Sequence, residues 1–250
     1  MKTKHRHELK ENDLARAIGA TREWVEPRGK QIQLTLLAII VIIGIAFGVL
    51  SWRNRQQGQG QDLLAAAMVV LNTAVVPVTS PTAPGEAPAA ASIGATGTFY
   101  TEAQKLTAAL PKLQAAADAY PDTEAGITAR YHLASALASL GRQKDAISQF
   151  DQVVQHAGAD TLYGRMAQLG KADAQVQGGE VDGAIATLKE LAAKKDANLP
   201  EDAILMELAR AYQVKGNTEE ARKTFNQIVD DHPGSPYVAD ARKELETLKS

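Results

Sequence analysis

The chain has 250 residues, a formal charge of −2 and 5% aromatic residues. So even a charge balance with so few stacking rings excludes the electrostatic footprint of a nucleic-acid-binding surface. There is no cysteine, which excludes a disulfide framework and any thiolate metal site.

Residues 1–31 read as a polar, basic stub. Asn12 or Asp13 opens a short helix with Leu14 and Ile18 one turn apart, ended by Gly19. His5 and His7 flank no more than Glu8 on a terminal segment, where such residues are ordinarily solvated, so no metal site is expected. Residues 32–52 read as a transmembrane helix. From Ile32 to Leu50 there is no charge, and twelve Leu, Ile, Val and Phe residues lie between Leu34 and Leu50. A helix of that length is about 28 Å long, near the hydrocarbon thickness of a bilayer. The apolar residues favour insertion by about 4 to 7 kcal/mol.

A cleaved signal has a shorter apolar core ending in small residues. Here the run passes into Ser51, Trp52, Arg53, Asn54 and Arg55, so a retained anchor is expected. Arg16, Arg22, Arg28 and Lys30 precede the span and only Arg53 and Arg55 follow it closely, which predicts a cytoplasmic N-terminus and a C-terminal domain outside. Trp24 and Trp52, with Arg53 and Arg55, are the expected membrane-interface anchors. Gly44 and Gly48 form a GxxxG pair, which reads either as a homodimer contact or as an incidental feature of a glycine-tolerant membrane helix.

Leu63, Leu64, Ala67, Met68, Leu71 and Val75 form an apolar stripe, predicting a post-membrane helix within residues 53–76, continuous with the span unless Gly58 and Gly60 loosen it. Residues 77–98, rich in Pro, Ala, Thr, Ser and Gly, read as a disordered linker. A second stripe, Leu106, Leu110, Leu113, Ala117 and Tyr120, leads into Pro121. The two stripes read as a divergent first hairpin in which Pro111 kinks the second helix or marks a restart.

Residues 99–250 carry a repeat. GRQKDAISQF from Gly141, GEVDGAIATL from Gly179 and GNTEEARKTF from Gly216 share a leading glycine, an alanine five residues on (Ala146, Ala184, Ala221) and a bulky apolar residue four further (Phe150, Leu188, Phe225). The glycines are 38 and 37 residues apart, and seven residues before each stands Ala134, Ala172 or Ala209. That spacing predicts helical hairpins closed by small residues, with the glycine at the turn. Thr123 beyond Pro121, and Ser235 between Pro233 and Pro236, are hydroxyls able to cap the next helix. A last helix, Pro236 to Leu248, puts Val238, Ala241, Leu245 and Leu248 on one face, as a terminal cap requires. The expected fold is all-α, a single N-terminal membrane helix followed by a helical-hairpin solenoid.

On these residues the chain resembles the tetratricopeptide repeat (TPR). Leu133, Ala134, Leu137, Gly141, Ala146 and Phe150 match one unit, and Leu208, Ala209, Tyr212, Gly216, Ala221, Phe225 and Pro233 another. The middle unit departs, with Lys171 where a large apolar residue belongs and Gln175 at the aromatic position. The order of stub, span, post-membrane helix and repeats, with Glu11-Asn12-Asp13, Trp24, Gly29, Lys30 and Trp52 around the span, resembles the YfgM-like ancillary subunits of the SecYEG translocon. That resemblance implies a bacterial inner-membrane protein with periplasmic repeats. Its implied partners are translocon subunits, periplasmic chaperones or exported clients. DHPGSPYVADARKELETL also resembles the periplasmic TPR domain of Tol-Pal-associated cell-division coordinators, an alternative that implies a structural scaffold of an envelope complex.

In a TPR array the concave face lined by first helices recognises peptides. By register it would carry Tyr131 and Ser135, then Met166, Leu169, Asp173 and Val176, then Met206, Arg210 and Gln213. The Lys and Asn clamp for a C-terminal carboxylate is missing, since Tyr131, Leu169 and Met206 stand at one clamp position. A groove for apolar segments is therefore expected, although each of these residues could equally pack against a neighbouring helix. His132, His156 and His232 lie in different repeat segments without a carboxylate at ligand spacing, and no phosphate loop, nucleophile elbow or HExxH occurs. No catalysis, cofactor or metal is expected.

Overall fold

The computed structural model describes residues 29–76, 98–194 and 199–248; the features expected of residues 1–28, Trp24 among them, and of residues 77–97 lie outside these. The helices are α1 (Gly29–Leu71), α2 (Glu102–Ala119), α3 (Glu124–Ser139), α4 (Gln143–Ala157), α5 (Leu162–Gln177), α6 (Val181–Ala193), α7 (Glu201–Val214), α8 (Thr218–Asp231) and α9 (Val238–Thr247). The chain divides into two units, residues 1–55 and 56–250.

In the first unit the apolar part of α1 buries nothing: Leu34, Ile40, Ile45 and Phe47 are all more than half exposed. The helix is long and apolar enough to cross a membrane. A Cβ added to Gly44 or Gly48 meets nothing within 4 Å, so this face of the helix is open.

Gly58 and Gly60 do not break α1, which continues to Leu71. In the second unit Gly60 serves a close approach instead. It is buried against the α2–α3 turn, where a Cβ would stand 3.3 Å from both Ala125 Cβ and Thr123 Oγ1. Beside it the Tyr120 hydroxyl donates to Gln59 Oε1 at 2.7 Å. Leu64, Ala67, Val70 and Leu71 then pack on the core, while Leu63 of the expected stripe stays outside. Pro111 neither ends nor restarts α2. Residues 75 and 99 form a parallel bridge, with Val76 N donating to Phe99 O at 2.8 Å.

From α2 onward each helix packs on the next, and α3 also packs on α5 and α5 on α7. This makes one row of first helices and a second row of α2, α4, α6 and α8. The turn from first to second helix is the same three times. Gly141, Gly179 and Gly216 have φ of 76°, 84° and 79°, a left-handed conformation that glycine adopts without cost. The following amide closes a six-residue loop: Arg142 N to Leu137 O, Glu180 N to Gln175 O and Asn217 N to Tyr212 O, at 2.8 to 2.9 Å. The middle unit thus keeps its neighbours' register despite its sequence departures.

The turns back into α3 and α5 are built around threonine. Thr123 and Thr161 Oγ1 accept from Gly126 N and Gly164 N at 3.1 Å, capping α3 and α5. Ala134, Ala146, Ala172, Ala184, Ala209 and Ala221 are all fully buried where hairpin helices meet, with Phe150, Leu188 and Phe225 beside them. Ala172 belongs to a C-terminal core cluster and Ala167 and Ala174 to an N-terminal one, so α5 is the wall between the two. At the far end Ala241 is fully buried, Leu245 and Leu248 pack on the core, and Arg222 donates to Leu248 O at 2.8 Å. The exposed remainder of α9 closes the array.

Candidate functional site

The row of first helices presents a face on which the 38- and 37-residue register sets side chains at matching levels. Tyr131 on α3 is half-buried at the centre of an aromatic cluster. It meets Phe150, Tyr163 and His132 edge-on, with centroids 5.8, 6.2 and 5.9 Å away. Burial pushes its phenol above the usual tyrosine value, so it is a neutral group there. Tyr163 in turn accepts from Thr128 Oγ1 at 2.8 Å, which ties α5 to α3. Ser135 lies one turn on, but its hydroxyl donates to Tyr131 O of its own helix.

On α5, Met166, Leu169, Asp173 and Val176 are all half-buried. Leu169 and Val176 rest against the C-terminal core with part of their surface free. Asp173 Oδ2 accepts from Gln177 Nε2 at 2.9 Å. On α7 the expectation for Met206 is corrected: the side chain is fully buried, in the same cluster as Ala172, Leu205, Ala209 and Tyr212. The packing of α7 on α5 takes it up, and it lines no open surface. Arg210 is exposed and donates to Glu207 Oε1 at 2.9 Å, and Gln213 donates to Glu244 Oε2 of α9 at 3.0 Å.

Three neighbours on this face escape the sequence reading. Leu162 is 50% exposed in the first turn of α5, a large apolar residue held in water. Tyr163 follows it. Glu207 is half-buried, and its carboxyl is pushed above the usual range chiefly by burial, with Asp173 adding to the effect and Arg210 opposing it. The threonine cap before Leu162 was the available signal, since it fixes where α5 begins.

A cleft of about 500 Å³ opens on the other row, between α2 and α4, floored by Leu133 and Leu137 of α3. Its polar rim is already satisfied. Arg142 pairs with Asp145 at 2.7 Å. Gln114 donates to Asp118, and the buried guanidinium of Arg130 donates to Asp118 Oδ1, Ala117 O, Gln149 Oε1 and Gln152 Oε1 at 2.6 to 3.0 Å. Arg130 is thereby a rivet through α2, α3 and α4. The histidines do not converge: His156 Nδ1 lies 2.7 Å from Asp122 Oδ1, His232 is 3.9 Å from Glu201, and burial lowers the pKa of His132. Among the described residues no group of three metal-ligating side chains assembles.

Residues 142–239 match the family model of the tetratricopeptide repeat-like domain, and residues 97–161 match that of a tetratricopeptide repeat. No curated protein matches the chain significantly by sequence. Among solved structures it is similar to the nearly identical TPR-like repeats of a Podosopora anserina chain assigned to kinesin light chains. The identity there is 22% and the TM-score 0.50, over 58% of this chain and 78% of that one. A variant of the same repeats with one glutamine changed to methionine gives 21% and 0.51, over 58% and 77%. At such identity the likeness concerns the fold. The chain therefore carries tetratricopeptide-repeat-like domains, a module that binds other proteins.

Proposed function

We propose that this is a membrane-anchored, non-catalytic interaction protein whose first-helix face holds segments of other proteins beside a bacterial inner membrane, with the repeats periplasmic. In this role it serves as an accessory factor of the Sec translocon and of periplasmic chaperones handling exported proteins. The observation that carries the reading is the joining, in one chain, of a helix apolar enough to span a bilayer to repeats of a protein-binding class. The basic residues ahead of the span support the topology, and Tyr131, Met166 and Leu169 supply an adaptable, partly apolar surface.

Crosslinking in cells followed by copurification tests it. The full-length chain is compared with a form that lacks residues 1–55 and is exported by a cleavable signal. Translocon subunits should come with the full-length chain, and exported chaperones or clients with both forms. Cytoplasmic partners alone would overturn the reading, and Tol-Pal or division proteins would favour the scaffold alternative raised by the last two helices. Replacing residues 32–50 with an unrelated membrane helix separates the two further, because capture by the repeats survives that exchange and a scaffold built through the span does not.

A further inference from the structure

We draw no further inference here: the strongest candidate, the cleft between α2 and α4 floored by Leu133 and Leu137, has Arg142 already paired with Asp145 at its rim, and nothing in the structure shows what covers it.

Discussion

Two glycines show how a single missing atom fixes a turn. A Cβ on Gly126 would lie 1.8 Å from Tyr120 O, and one on Gly164 would lie 2.0 Å from Gly158 O. Each sits three residues after its capping threonine, where the incoming loop folds over the start of the helix. Gly126→Ala and Gly164→Ala should therefore each destabilise the fold by about 2 to 3 kcal/mol, as backbone must move to admit the methyl. Gly141→Ala has open space, faces only its left-handed φ and should cost about 1 to 2 kcal/mol. Chemical denaturation of the three variants ranks them. The sequence displayed Gly141, Gly179 and Gly216 because they recur at the period of the fold, whereas Gly126 and Gly164 answer to a carbonyl that only the folded loop brings near. Glu207 was hidden for a similar reason, since nothing local marks a carboxyl that burial and Asp173 push upward. With its pKa raised by folding, it favours the folded state most below the ordinary carboxylate range, and that contribution is lost as pH rises through its shifted value. Glu207→Gln should match the parent's melting temperature in acid and exceed it at neutral pH, in melts followed by circular dichroism.

Between helices, closeness replaces size. Gly170 on α5 would place a Cβ 2.6 Å from Phe150 Cζ, so the ring of α4 lies directly on the backbone of its neighbour. Where α2, α3 and α4 meet, polar bonds contribute alongside apolar packing. Arg130 is 4% exposed and makes four hydrogen bonds to two other helices, α2 and α4. Removing it strands Gln149, Gln152 and the Ala117 carbonyl and leaves a void, so Arg130→Ala should cost about 3 kcal/mol. Arg130→Met, which keeps the volume, should cost less. A difference in urea midpoint between the two variants would show it, and equal midpoints would mean that volume contributes nothing. The helices themselves were legible: the alanine pairs and turn glycines fall where expected, and so do the apolar stripes except at Leu63. The partners of Arg130 were not, because they lie 12 to 22 residues away on other helices. Met206 was misread on the same account, since register gives the level of a residue on its helix but not how deeply the neighbouring helix covers it.

In the repeat-bearing unit, stability accumulates between neighbours, and terminal elements matter for what they cover. Truncation before Val238 removes α9 from the core around Phe225 and Ile228 and should lower the melting temperature and promote aggregation. Excision of residues 77–97 is the contrasting case. Because Val76 and Phe99 already meet, replacing that segment with a short Gly-Ser turn should leave the melting temperature of the repeats within a few degrees, since loop length enters stability only logarithmically, by about 0.6 kcal/mol per doubling. A large loss on excision would mean that the segment contributes to the core. The pairing of each helix with the next, and of α3 with α5 and α5 with α7, has one more consequence, and it concerns time. Contacts made between segments close in sequence need little chain to be gathered before they form, so such folds rank among the faster ones. A hairpin closed by Gly141 has all its own parts as soon as α4 exists. During synthesis it can fold while the C-terminal helices are still arriving, and each later hairpin then meets a surface already in place.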